Sequence, residues 1–407
     1  MKRKNCSVVG AVRKPPFFTE PRIHENDDFV KGGSRTTPTY KCLAVILLIL
    51  TACTKNIVVV EEQNPPHASL GVLASGGEEG DTGWWPSVIF DAKDRPHVSF
   101  CDAHQGDLKY ATKHGDSWVV EDVITQGNIG KYTSIASDKN NHLAIAFHDQ
   151  DQKKLRIATR DNEAAPWKTE EIAWGHEVGM GAELRFDAQN SPHVFYYTAG
   201  GKLVHATRGP KDGEWVKTIL FDATGGYSAR IDVQQQGDQW WISFVDWNAR
   251  DTELYVAHGP LNALKQERIG EDHSHGWHSQ LSWVGQLPRV TYTAGLPINI
   301  RVAEQDSTGT WHDQRVFKGV GNMAQAQLPN GDLAIAFEHI TPRRPDHETF
   351  DLLRYASGVW THTVIDTEGP VGKYLAMAAD SQGRLVIAYY STAIRGLKIY
   401  DETIPKP

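Results

Sequence analysis

Five tryptophans and one leucine open short apolar-ending segments at an almost constant interval along this chain. The segments are Trp118-VVEDV, Trp167-KTEEI, Trp215-VKTIL, Leu264-KQERI, Trp311-HDQRV and Trp360-THTVI, and the successive spacings are 49, 48, 49, 47 and 49. A second marker keeps step with them. Asp91, Asp138, Asp187, Asp232 and Asp380 each end an alternating run, with Trp283 and Leu328 at the two exceptions. The near-identical stretches GKYTSIASDKNNHLAIAFHD from Gly130 and GKYLAMAADSQGRLVIAYYS from Gly372 are two of seven such copies. A repeat of this length cannot bury its own apolar face, so its neighbours must stack on it.

Each copy holds four strand-like runs separated by turn residues, as in PSVIFD, PHVSFCD, LKYAT and WVVEDV. Period-two alternation and enrichment in Val, Ile, Phe and Tyr argue for strands, and no copy shows a sustained helical stripe. Four strands per repeat at this period predict an all-β, seven-bladed β-propeller. The last copy stops at LKIYD, six residues from the end and one strand short, while HASLGV from His67 lies where an orphan fourth strand would fall. An N-terminal strand completing the last blade closes the ring and removes two free sheet edges.

The pattern from Ala68 to about Tyr400 resembles bacterial BNR/sialidase-like propellers, and the turns GDSW, KDGEW and DSTGTW resemble degenerate Asp boxes, which in that family are structural. Fold alone does not assign function, and no arginine triad with a Tyr/Glu nucleophile pair is present to imply a sialidase.

The uncharged run Cys42–Thr51 is too short to span a bilayer and ends in small residues, which reads as a signal-peptide core. Leu50-Thr51-Ala52-Cys53 resembles the bacterial lipobox. The resemblance implies a leader over 1–52, cleavage before a lipid-modified Cys53, a tether over 53–66, the propeller over 67–401 and a tail over 402–407. Without the leader the chain has 33 basic and 46 acidic residues, a net charge of −13. That balance disfavours nucleic acid and anionic lipid head groups, so membrane attachment falls to the lipid. Thr54 after Cys53 hints at the outer membrane or cell surface by resemblance to bacterial sorting. Cys101 is the other cysteine of this portion; with Cys53 acylated no disulfide forms, and a monomer stabilised by its core is expected.

The resemblance implies that the links between blades, and the turns between second and third strands, gather on one face around a central funnel. The links supply Trp85, Tyr132, Trp277 and Tyr374 at one equivalent position, held by Gly181, Gly226 and Asn322 elsewhere. The turns supply Asp102, His148-Asp149, Tyr197, Glu338-His339 and, after a longer turn, Asp246-Trp247. Aromatic faces beside carboxylates and imidazoles suit sugars, although repeated aromatics also pack between blades and repeated aspartates also tie turns. His148 and Tyr197, with Arg185 and Arg230 expected at equivalent places in blades three and four, form the candidate catalytic set. A His/Tyr acid–base pair with Arg neutralising a carboxylate is what β-elimination of a uronic-acid polysaccharide requires, and some polysaccharide lyases are seven-bladed propellers. His273, His275 and His278 in EDHSHGWHS would hold zinc or copper if a loop folds them together; no other cofactor is implied. The leading expectation is a lipid-anchored envelope propeller that binds a glycan or protein partner. A uronic-acid lyase and a structural subunit of an envelope complex stand beside it.

Overall fold

Alternating side chains give every strand an inward and an outward set, and the chain uses both faces of its sheets. A computed structural model describes residues 59–61, 68–78, 80–175, 178–210, 213–222, 230–247, 252–270, 275–295, 298–340 and 348–403, with the backbone alone for 247 and 275–277. These residues form seven sheets and no helix, so none is long and apolar enough to cross a membrane. Blade one runs Thr82–Phe90, Pro96–Asp102, Asp107–His114 and Ser117–Ile124 as an antiparallel meander, and blades two to five repeat the plan. Blade six adds Val320–Gln327, Leu333–His339, Thr349–Ala356 and Val359–Asp366. Blade seven has only Val371–Ala379, Leu385–Ser391 and Gly396–Asp401 from the C-terminal part of the chain.

The missing strand is Ser69–Ala74. It pairs antiparallel with Gly396–Asp401, with Leu70 opposite Tyr400 and Gly71 opposite Ile399, so start and finish share one sheet. The contact is close: a Cβ on Gly396 would stand 2.3 Å from the Ala74 carbonyl oxygen. One strand was not expected. Val59–Glu61, within the segment read as a tether, adds in parallel to the outer edge of blade six. The leader, Cys53, His67, Gly226, His273 and the tail beyond 403 lie outside the described residues.

The core is divided among the blade interfaces. Seven apolar clusters each span two neighbouring blades; one joins Leu108 and Tyr110 of blade one to Ile135, Ile145 and Phe147 of blade two. Another packs Leu73 of the closing strand and Leu397 of blade seven against Val98 and Phe100 of blade one. The recurrent tryptophans staple these interfaces. The indole N–H groups of Trp118, Trp167 and Trp311 donate to Asp401, Glu121 and Glu267 of the preceding blade at 3.2, 3.0 and 2.8 Å. Arg160 pairs with Glu121 and lies 4.5 Å over the Trp167 ring. The recurrent aspartates close turns. Asp91 accepts from the N–H groups of Lys93 and Arg95 at 2.8 and 3.0 Å, and Asp138, Asp187 and Asp380 repeat the geometry. Asp232 departs from the expectation: it begins its strand, Asp232–Gln236, rather than ending it.

Blades six and seven are also joined by a buried ion pair, Lys398 Nζ to Asp366 Oδ2 at 2.8 Å, with the Tyr389 hydroxyl donating to the same oxygen at 2.8 Å. These bonds hold the Asp366 carboxyl below its ordinary range despite burial, and Asp366 with Glu368 raises Lys398. A lowered acid stabilises the fold above its unfolded pKa and ceases to as pH falls through the folded value. A raised amine stabilises below its unfolded pKa and ceases to as pH rises through the folded value. The pair therefore contributes from about pH 4 to about pH 10. Lys398→Met strands a buried carboxylate and should cost about 3–5 kcal/mol near neutrality. In that variant the unpaired acid has a raised pKa, so the deficit against wild type should shrink on acidification towards pH 4, as read from denaturant melts at several pH values.

Candidate functional site

Around the central axis, most first strands carry one extra residue near their start, and that irregularity builds the funnel mouth. Trp84 pairs with Cys101 and Ser87 with Ser99, so Trp85 and Pro86 face the single residue Phe100. The same two-against-one bulge occurs at Tyr132-Thr133 against Phe147, Gly181-Ala182 against Tyr196, His278-Ser279 against Tyr292 and Tyr374-Leu375 against Tyr389. Bulges re-aim a side chain out of the sheet. The first bulged residue takes a left-handed backbone, with φ of 48° at Trp85, 53° at Tyr132, 56° at His278 and 48° at Tyr374; Gly181 adopts 61°. Glycine reaches that region without strain, whereas a bulky residue costs about 1–2 kcal/mol there. Blade three uses the unstrained solution. Four other blades keep large side chains at the strained position, as is common at ligand clamps.

The side chains so aimed surround a cavity of about 370 Å³, within the range of small-ligand sites. One wall is aromatic. Trp85 lies 4.9 Å from the Tyr132 ring and 5.4 Å from Tyr374, and Trp84 stacks on Tyr374 at 5.1 Å with planes 25° apart. The wall is braced from behind: the Trp84 indole and the Tyr390 hydroxyl both donate to Asp81 Oδ1, at 2.9 and 2.7 Å. Lys131 Nζ sits 5.8 Å from the Trp85 ring centroid. Facing this wall are Glu183, Arg230, His278 and Asn322. Burial lowers the Arg230 guanidinium pKa, while the charges of Glu183 and Asp232 oppose the shift. Burial, assisted by Arg230, pushes the His278 imidazole down to about 4, so it is neutral at pH 7. Below the mouth, the channel is lined by Glu183, Arg185, Asp232 and Gln280.

The structure gathers Trp85, Tyr132, Tyr374 and Arg230 at this mouth and moves two assignments. In blade five the ring position belongs to His278, one residue after Trp277. A shorter first turn displaces the register there, with Val284 pairing Leu287 and Trp283 pairing Pro288. His278 therefore sits on the strand His275–Val284 and lines the funnel rather than a histidine loop. Arg230 and Arg185 are not equivalent. Counting back from the pair Asp232–Ser243, which matches Ser87–Ser99, places Arg230 at the position of Trp85. Arg185 lies lower. It pairs with Glu183 and Asp232 and donates to the Val233 carbonyl at 2.8 Å, locking blade three to blade four.

The other expected site residues whose side chains are described lie away from the cavity lining. The Tyr197 hydroxyl donates to the Val245 carbonyl at 3.3 Å, and burial, with Asp246 nearby, raises its pKa. His148 is buried, with Nδ1 2.7 Å from the Val178 carbonyl oxygen and its ring 6.5 Å from Tyr132. Asp102 ties its turn through the N–H groups of His104 and Gln105, and Asp149 does so through the N–H of Gln152 while pairing with the Arg156 guanidinium at 3.2 Å. Glu338 is buried and accepts from Asn322 Nδ2 at 2.7 Å, so it positions a residue that lines the cavity. Asp246 is half-buried opposite Glu253, and His339 bonds Asp351. The side chains of Trp247, His275 and Trp277 lie outside the described residues. Cys101 is buried, and burial pushes its thiol up to about 12. Glu183 and Trp84 went unread; the Trp84-Trp85 doublet ahead of the first copy was the available signal.

No known family and no curated protein matches the sequence. Solved structures do match in fold. A polysaccharide lyase, an ulvan lyase bound to -[GlcA(1-4)Rha3S]-, superposes with a TM-score of 0.56 at 10% identity, covering 82% of this chain and 96% of that one. Hydrazine synthase of Kuenenia stuttgartiensis gives 0.55 at 9% identity over 79% and 96%. A protein of unknown function from Dyadobacter fermentans gives 0.50 at 12% over 85% and 97%. Phage phi92 endosialidase gives 0.50 at 10% over 84% and 70%. At these identities the likeness shows a shared propeller fold.

The strained positions predict an unusual stability pattern. Tyr132→Gly relieves a left-handed backbone and should cost far less than Phe147→Ala, the fully buried ring facing it in the same bulge, which should cost about 3–5 kcal/mol. Equal losses in thermal melts of the two variants would contradict this account.

Proposed function

We propose that the protein binds a glycan chain at the funnel mouth, a saccharide ring lying on the Trp85–Tyr132–Tyr374 wall with its hydroxyl or carboxylate groups towards Arg230, His278 and Asn322. The observation that carries this reading is the retention of three strained aromatic side chains around one cavity, opposite a charged and imidazole-bearing wall. Aromatic faces hold C–H-rich surfaces, and a few placed polar groups set orientation. The neighbours named as an ulvan lyase and an endosialidase agree with carbohydrate as the ligand class. In this reading the chain is exported and tethered by a lipid on Cys53 to the outer membrane or cell surface. The acidic surface expected from its net charge gives no reason for attachment to anionic lipid.

A glycan array of neutral and acidic oligosaccharides tests it. Binding by wild type should fall tenfold or more in Trp85→Ala, about 1.4 kcal/mol, with an unchanged melting profile. No hit across the array would favour a protein partner instead.

One observation favours a second, enzymatic reading. His278 and Arg230 line the same cavity, the imidazole neutral at pH 7 and the guanidinium beside it. A neutral imidazole can remove the proton α to a uronate carboxylate while the arginine stabilises the developing charge; the electron pair then forms the C4–C5 double bond and expels the glycosidic oxygen on C4, which takes a proton from water. Lysis of an acidic polysaccharide would generate the ultraviolet absorbance of an unsaturated uronate. That signal should disappear in His278→Ala while binding persists.

A further inference from the structure

We propose that His339, Asp351 and His362 form a binding site for one divalent cation of the zinc class, separate from the funnel. The three residues stand on the second, third and fourth strands of blade six. Nδ1 of His339 lies 2.9 Å and Nε2 of His362 2.8 Å from the same carboxylate oxygen, Asp351 Oδ2, and the three atoms fall within 4.8 Å of one another. Ligands bound at about 2.0–2.2 Å from a common ion stand about 3 Å apart, so an ion entering among these atoms needs only small side-chain shifts. Two imidazoles and one carboxylate make a borderline-soft donor set that suits zinc, cobalt or nickel and disfavours calcium or magnesium.

Outer partners are already in place. His362 Nδ1 lies 2.8 Å from Glu61 Oε1, the carboxylate–histidine arrangement that orients a metal-bound imidazole, and the Thr349 hydroxyl donates to Asp351 Oδ1 at 2.6 Å. The surroundings restrict water. Asp351 is fully buried and His362 is 5% exposed, and the Phe317 ring of blade five lies 5.2 Å from His339 and 5.0 Å from His362. His339 is half-buried and leaves a route for entry. Because Glu61 belongs to the added strand Val59–Glu61, an ion fixing His362 would also fasten that segment to blade six.

Chelator-treated full-length protein, dialysed against zinc or cobalt(II), should take up one equivalent, with cobalt giving the visible bands of a low-symmetry nitrogen-and-oxygen site. His339→Gln/His362→Gln should abolish uptake, and Glu61→Gln, at an exposed position, should weaken it 10–100-fold. On the wild-type chain, zinc should protect His339 from diethyl pyrocarbonate, a readout that needs no variant to fold. The proposal is overturned by the absence of stoichiometric uptake, by uptake that survives in the double variant, which would place the ion elsewhere, or by unprotected His339 in the zinc-loaded protein.

Discussion

Everything in this molecule depends on the ring being shut by Ser69–Ala74 pairing with Gly396–Asp401. No blade owns a core: each of the seven apolar clusters is shared by two blades, the last joining blade seven and the closing strand to blade one. Each fully buried Leu, Ile or Phe contributes roughly 1.5–3 kcal/mol only while its partner blade stays in place. Opening the ring would therefore expose two half-clusters together with two unpaired edges. The tryptophan staples add direction to this adhesion. An indole donating across an interface to Glu121 or Glu267 adds a directional bond, which apolar packing lacks.

Closure also brings the first strands of the blades together around one axis. The innermost strands surround the axis, and in most of the described blades the bulge near their start re-aims a residue towards it. Had all seven been glycine, as at Gly181, the mouth would be wide and bland. Trp85, Tyr132, His278 and Tyr374 instead occupy the left-handed position at a cost in backbone strain. The three aromatic rings brace one another through Trp85 and are held from outside by Trp84, Tyr390 and Asp81. The strain is thus carried by the interface energy of the ring, and the aromatic wall is preorganised before any ligand arrives, which lowers the entropic cost of binding.

Much of the fold was legible in the sequence because strand alternation, turn aspartates and the tryptophan interval are local signals repeated seven times. The closing strand was legible for the same reason: one blade was a strand short. Register within a blade was less so. The shorter Gly285-Gln286 turn shifts the first strand of blade five against its second, so the ring position falls one residue after Trp277, at His278. Asp232 misled in a different way. It copies the residue type of the turn aspartates but sits at the other end of its strand, where it accepts from the Leu281 N–H at 2.6 Å, so Arg185 and Arg230 seemed paired when they lie at different depths. The turn residues Asp102 and Asp149 show the limit of residue type as a guide, since a carboxylate that ties a turn and one that meets a ligand look alike in sequence. The strand Val59–Glu61 could not be read at all, because three residues of parallel edge pairing carry no pattern of their own.

The charges around the axis narrow what the funnel can hold. Arg230 and Arg185 introduce two positive groups among Glu183 and Asp232, and Arg185 is already engaged with both carboxylates. On the facing wall, the charge of Arg230 is offset through space by Glu183 and Asp232, while His278 beside it stays neutral. A ligand placing a carboxylate against Arg230 meets one guanidinium and no second imidazolium charge. It must also tolerate Glu183 on the same wall. If the funnel binds a glycan as proposed, that balance favours chains in which acidic and neutral sugar units alternate over densely charged polyanions: one carboxylate can be neutralised at a time, and the neighbouring ring must be held by stacking on the aromatic side.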